Sequence, residues 1–146
     1  MKKLLLLTVS IVALAACKKE EDVPDPAPAL EFVSVTPTSA TEFSDSLVFT
    51  IHYTDVDGDL GENNPDAKNL FLTDNRIGIQ YAYRVQQLAP AGADITIAGN
   101  LQIVLNTIAR TDTSVAQESA TFSIYMKDRA GHISNTVVSP VITIHP

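Results

Sequence analysis

Five acidic residues fall within positions 55–66, the stretch of this 146-residue chain whose side chains could act together chemically. They are Asp55, Asp57, Asp59, Glu62 and Asp66. Carboxylates at this density cost stability unless a cation neutralises them. Hard cations prefer oxygen ligands, and Ca²⁺ takes about six to eight of them. The spacing therefore indicates a structural Ca²⁺ site, and the alternative is a solvated acidic loop held by Asx-turns.

The first three acids resemble the start of an EF-hand loop, because aspartates occupy alternate positions. The rest of the loop departs from that pattern: Leu60 stands where glycine is required, and the twelfth position is Asp66 instead of glutamate. The flanking segments also alternate like strands. The stretch is more similar to the Asp-x-Asp-Gly-Asp loops of surface β-sandwich modules, and that resemblance implies a metal site on a loop between strands.

The segments around this loop alternate apolar and polar residues with period two, which predicts β-strands. The clearest runs are residues 47–54, 77–86, 101–106 and 120–127, and shorter ones are 30–36, 69–73, 95–98, 137–139 and 141–144. Turn-forming residues separate them, Gly99-Asn100 among these, and Pro140 is expected to break the last strand. Seven or more short strands within residues 30–146 predict an all-β, antiparallel β-sandwich.

The C-terminal part resembles bacterial immunoglobulin-like and fibronectin-III-like modules. Residues 128–134, which read Asp-Arg-Ala-Gly-His-Ile-Ser, are similar to the Asp-x-x-Gly-Asn-x-Ser stretch of their last hairpin, with His132 in place of asparagine. The resemblance implies an immunoglobulin-like β-sandwich of about 7–9 strands. In that fold the B–C and F–G loops share one end, so Asp128 is expected to join Asp55, Asp57 and Asp59 as a ligand. Glu62 or Asp66 would complete the set.

Residues 1–16 have the features of a signal peptide. Lys2 and Lys3 precede an apolar run over residues 4–14, which is shorter than the roughly 20 residues that span a bilayer. The following Leu14-Ala15-Ala16-Cys17 resembles the lipobox of bacterial lipoproteins. That resemblance implies that Cys17 carries acyl chains and anchors the protein in a membrane. The alternative is an ordinary secreted protein.

Residues 17–29 are predicted to be a tether. The charged residues 18–22 resemble the surface-export signal of Bacteroidetes lipoproteins, the alternative being a solvated spacer. Proline at every second position from 24 to 28 favours a stiff, extended chain. We therefore expect an outer-membrane lipoprotein that faces the exterior.

Charge and missing motifs limit the function. Without residues 1–16 the chain has 8 basic and 17 acidic residues, which makes nucleic acid an unfavourable partner. No Gly-x-Ser-x-Gly, His-Glu-x-x-His or phosphate-binding glycine loop occurs, so we do not expect an enzyme.

The sequence favours a binding or structural adhesion module that contacts another envelope protein. The alternative is a glycan-binding accessory lipoprotein for nutrient uptake, and a hydrolase is the least supported. Tyr125 is the candidate ligand contact, for either a sugar or a protein partner.

Overall fold

The computed structural model describes residues 25–146; the predicted signal peptide, Cys17 and residues 18–24 of the predicted tether lie outside the described residues. Ten strands form the described part: β1 (Ala29–Thr36), β2 (Ser39–Thr41), β3 (Leu47–Asp55), β4 (Leu70–Asp74), β5 (Ile79–Tyr83), β6 (Ile97–Leu105), β7 (Glu118–Ala120), β8 (Phe122–Met126), β9 (Val137–Val138) and β10 (Ile142–His145). Within this range, no helix has the length and apolar character needed to cross a membrane.

The strands form two layers. The first layer is the antiparallel sheet β1-β3-β6. The second combines the sheets β5-β4-β8-β9 and β2-β10-β7, because only Thr121 separates β7 from β8 and residues 139–141 separate β9 from β10. Two bonds link the segments at this junction: Ser139 N donates to Phe122 O at 2.8 Å, and Phe122 N donates to Ser139 Oγ at 2.9 Å. Pro140 thus interrupts the last strand, as expected.

Alternating side chains fill the space between the layers. Leu47, Phe49 and Ile51 on β3 are completely buried, since every second residue of a strand points to the same face. Phe49 meets Phe122 of the second layer edge to face, with ring centroids 5.1 Å apart. Burying each such side chain contributes about 1.5–3 kcal/mol. This shared core holds the layers, and with them the loops at either end, in a fixed relation.

The structure confirms the predicted all-β sandwich, with ten strands where about 7–9 were expected, and the strand order is the one expected of an immunoglobulin-like sandwich. In immunoglobulin naming, β3, β4 and β6 are strands B, C and E, the β7–β8 segment is F, and the β9–β10 segment is G. The B–C and F–G loops meet at one end, where Ala130 N donates to Asp59 Oδ2 at 3.0 Å. This is the juxtaposition of acidic loops that the sequence analysis anticipated.

Several elements differ from the prediction. Residues 95–98 and 101–106 were expected to be two strands with a turn at Gly99-Asn100, but β6 runs through both. Gly99 is a strand residue here and not a turn residue. It pairs with Tyr53 of β3, and a Cβ at this position would lie 3.0 Å from Tyr53 Oη, so the glycine accommodates the tyrosine ring. Strand β2 was not predicted, and it pairs with β10 in parallel, so the sandwich is not wholly antiparallel.

Candidate metal centre

Asp55 is the last residue of β3, and the strand's period-two alternation places it on the core face. Its side chain is therefore buried, with 0% of the residue exposed, whereas Asp57 and Asp59 in the loop that follows are half-buried. Gly58 takes φ +70°, and a Cβ there would lie 2.4 Å from Ile95 O. This tight turn brings one carboxylate oxygen from each aspartate within 4.8 Å of the others.

The oxygen atoms of the cluster are only partly satisfied. Asp55 Oδ2 accepts a hydrogen bond from Leu60 N at 2.8 Å, and Asp59 Oδ2 accepts one from Ala130 N at 3.0 Å. The Oδ1 atoms of Asp55, Asp57 and Asp59 are buried and have no donor among the described residues. Buried acceptors without partners are costly, so the cluster can hold a metal ion that would satisfy all three.

The electrostatics of the cluster are unfavourable when no cation is present. Burial raises the pKa of Asp55 to about 6, and the neighbouring Asp57 and Asp59 add to that rise. Burial also raises the pKa of Asp59, with further contributions from Asp128 and Asp57. A raised carboxyl pKa means that the ionised form is disfavoured. A bound cation would reverse this effect.

Asp128 lies at the same end of the sandwich but outside the three-carboxylate cluster. Its Oδ1 accepts from Gly131 N at 2.7 Å and from His132 N at 2.8 Å, and its Oδ2 lies 2.9 Å from His132 Nδ1. The hydrogen bond with Asp128 raises the pKa of His132. Asp128 therefore shapes the F–G turn, and His132 supports it from the position where asparagine is usual.

The other two predicted ligands are also not brought into the cluster. Glu62 is half-buried, and its backbone N–H donates to Val85 O at 3.0 Å. Asp66 is exposed, and its backbone N–H donates to Asn64 Oδ1 at 3.0 Å. In the described part of the chain, the acidic loop thus divides into a converging first half and a solvated second half.

Arg129 links the two loops and was not singled out from the sequence. Its Nη1 donates to Gly61 O at 2.8 Å and its Nη2 to Gly58 O at 3.4 Å, while its backbone N–H donates to Asp59 O at 3.3 Å. These bonds attach the F–G turn to the same residues that carry the cluster. The signal available in the sequence was a basic residue directly after Asp128 in a loop expected to face acids.

Tyr125 lies on the outer face of β8, as its strand position predicted. Its ring stacks on Phe71 of β4, with centroids 4.8 Å apart and planes 17° from parallel. Gln80 Nε2 lies 3.4 Å from Tyr125 Oη on the same face. Tyr125 is half-buried because Phe71 covers one side of its ring. Together the rings form an aromatic pair on an outer face that carries both polar residues, such as Gln80 and Ser123, and the exposed apolar residues Ala82 and Val138.

A scan against models of known protein families, a search among curated proteins and a search among solved structures each gave no significant match.

Proposed function

We propose that the domain binds a structural Ca²⁺ ion through Asp55, Asp57 and Asp59. The observation that carries this proposal is the set of three buried, unpartnered Oδ1 atoms. Oxygens that share one Ca²⁺ at about 2.4 Å can be at most about 4.8 Å apart, which the cluster satisfies. The ion would neutralise the loop and fix it between the two layers.

The chemistry of the ligands favours Ca²⁺ over other cations. The cluster is made of carboxylates alone, whereas zinc sites use histidine or cysteine. Magnesium requires a strict octahedron and retains several waters, while Ca²⁺ accepts irregular oxygen sets on loops. Extracellular Ca²⁺ modules bind with dissociation constants of about 10⁻⁴–10⁻³ M, which suits a protein predicted to face the exterior.

Thermal melting in Ca²⁺ and in chelator tests the site. At about 10 mM Ca²⁺, such affinities would add about 1.4–2.7 kcal/mol to the free energy of unfolding, a rise in Tm of about 5 °C or more. Asp57→Asn should abolish this rise, whereas Glu31→Gln, on the exposed surface of β1, should preserve it. An unchanged Tm in the unsubstituted protein would reject the Ca²⁺ site.

The biological role that we propose is a lipid-anchored, non-catalytic binding or adhesion module at the outer surface of a bacterial cell. The lipobox-like residues 14–17, the charged residues 18–22 and the proline-rich segment support the anchor. Asp55, whose raised pKa could suggest an acid catalyst, is inaccessible to a substrate because its side chain is buried. Pull-down of crosslinked envelope partners from intact cells, compared with a Cys17→Ser strain, tests this role.

The aromatic pair favours a second candidate, a glycan-binding accessory lipoprotein. Phe71 and Tyr125 lie on an outer face with Gln80, Thr73 and Ser123, so hydrogen-bonding groups lie close to an aromatic pair, a combination that suits a sugar ligand. A glycan array tests it: binding that Tyr125→Ala removes would support a sugar ligand. No binding on the array would leave the adhesion role as the sole proposal.

A further inference from the structure

The outer edge of β6 lacks the usual protection against pairing with another strand. The strand Ile97–Leu105 is nine residues long and contains no charged residue and no proline. Within residues 25–146 it pairs only with β3, so its second edge is open. Proteins normally shorten, charge, bend or cover such edges, because open rows of N–H and C=O groups recruit other chains.

The other edges of the described sandwich show those protections. Strand β1 has a bulge between Phe32 and Ser34, and the Asn135 side chain bonds both Leu30 N and Leu30 O, at 2.7 and 2.9 Å. Strand β2 has three residues and β5 has five. Compared with the edges of β1, β2 and β5, the edge of β6 is therefore the one best suited to pair with a strand from another chain.

One contact shows which backbone groups of β6 are open. Val104 O accepts a hydrogen bond from Tyr83 Oη at 3.2 Å, so this carbonyl points away from β3 and towards the second layer. Backbone groups alternate between the two sides of a strand, so Ala98, Asn100 and Gln102 are in phase with Val104. In the described structure, no donor or acceptor outside the sheet reaches the backbone of these three residues.

A groove with a volume of about 320 Å³ lies beside this edge. Its lining is mainly apolar, with Leu101 and Ile103 on the β6 side and Leu70, Tyr83, Val85 and Leu88 facing them, and it also includes Arg84, Gln86 and Gln102. Leu101 is only partly covered although it faces the core side of its sheet. A strand laid along β6 would place every second side chain in this groove.

We propose that β6 accepts an extended, uncharged segment of another protein as an added strand. Main-chain hydrogen bonds would supply affinity, and alternate apolar side chains would fill the groove and select the sequence. A lone segment fits better than a second copy of this chain, because residues 83–88 close the far side of the groove. A strand that belongs to a second sandwich would bring its own second layer into the space that residues 83–88 occupy. Two chains of net charge −7 would also repel each other.

The probe is a synthetic peptide with the sequence of residues 47–54 of β3, which carries no acidic residue, has alternate apolar residues and already complements β6 on its other edge. Saturable binding should perturb the NMR amide signals of residues 98–104. Two analogues, N-methylated on odd or on even amides, should differ, because only every second amide faces β6. One analogue should lose binding at least tenfold, and the other should retain it.

The matched variants are Leu101→Lys, which places a charge in the groove, and Val33→Lys, on the protected edge of the same layer. The first should weaken peptide binding at least tenfold and the second should not, with thermal melts confirming that both are folded. The proposal is overturned by no saturable binding at about 1 mM peptide, by equal binding to the two variants or analogues, or by signal changes away from β6. A dimer that Leu101→Lys dissolves would also overturn it, because the second copy would then be the occupant.

Discussion

The three aspartates of the cluster differ in how the chain holds them. Asp55 is fixed by the strand and by the bond from Leu60 N, while Asp59 is fixed by the opposite loop through Ala130 N. Asp57 lies between them, and its buried Oδ1 has no donor in the described part of the chain. Removing Asp57 therefore tests ion binding with the least disturbance of the protein's own hydrogen bonds.

At the residue scale, pH should act on the metal-free protein through Asp55. Its pKa rises from 3.8 to about 6 on folding, so the folded state holds a proton more tightly than the unfolded state. The associated stability is present below about pH 4 and is lost as the pH rises through about 6. In chelator, the unsubstituted protein should lose stability from pH 5 to pH 7 relative to Asp55→Asn.

Urea unfolding of both proteins at the two pH values measures this difference. His132, whose pKa is also shifted, is present in both proteins and contacts Asp128, so its contribution is common to them, whereas the interaction of Asp55 with Asp57 and Asp59 is part of the measured difference. Saturating Ca²⁺ at pH 7 should restore the unsubstituted protein and leave Asp55→Asn unchanged. Parallel pH dependence of the two proteins in chelator would show that Asp55 does not titrate in this range.

Alanine substitutions at Gly61 and Gly78 distinguish the cost of backbone strain from the cost of a steric clash. Gly61 has φ +82°, and a Cβ there would lie 2.0 Å from Gln86 O; Gly78 has φ +71° with nothing within 4 Å. Gly78→Ala should cost about 1–2 kcal/mol of unfolding free energy, from the left-handed conformation alone. Gly61→Ala should cost about 3 kcal/mol or more, because backbone must move as well. Equal losses in urea unfolding would contradict the tight approach of residues 61 and 86.

At the scale of elements, Arg129 should couple the F–G turn to the metal loop. Arg129→Met removes the bonds to Gly61 O and Gly58 O and should lower the free energy of unfolding by about 1–2 kcal/mol. Hydrogen exchange at the Ala130 amide should accelerate, because its bond to Asp59 Oδ2 depends on the same contact between loops. Arg84→Met is the control, since the Arg84 side chain donates, within residues 25–146, only to Asn63 O, at 3.3 Å. Unchanged exchange at Ala130 would argue against the coupling.

Much of the element pattern was readable from alternation, because one face of each strand is buried. The runs at residues 47–54, 69–73 and 120–127 correspond closely to β3, β4 and the β7–β8 segment. Gly99 misled the prediction because a glycine that admits a tyrosine ring has the same sequence signature as a turn. Strand β2 was missed because three residues are too few for a period to show.

The candidate site was predictable in part for a related reason. Asp55, Asp57 and Asp59 are neighbours in sequence, so local spacing was enough to group them. Asp128 was correctly expected at the same end, but its oxygens bond to its own turn, which topology alone does not specify. The sequence shows a basic residue directly after Asp128, but the contacts of Arg129 with residues 58–61 depend on the details of loop packing, which that position alone does not specify.

At the scale of the whole molecule, we propose a lipid anchor at Cys17, a tether, and a β-sandwich whose acidic end a Ca²⁺ ion would stabilise. Cys17→Ser should move the protein from the membrane fraction to the soluble fraction, because the acyl chains would supply the attachment. Cell fractionation with metabolic labelling by a fatty-acid analogue measures both effects, and Lys68→Ser is the control. Labelling that persists in Cys17→Ser would place the anchor elsewhere.

We propose above all that the Asp55, Asp57 and Asp59 carboxylates together hold one Ca²⁺ ion. Titration calorimetry of Ca²⁺ into the metal-free protein at pH 7 tests it most directly. We predict one ion per chain with a dissociation constant of about 10⁻⁴–10⁻³ M, lost in Asp57→Asn and retained in Glu31→Gln. The absence of binding heat, or equal binding by Asp57→Asn, would contradict it.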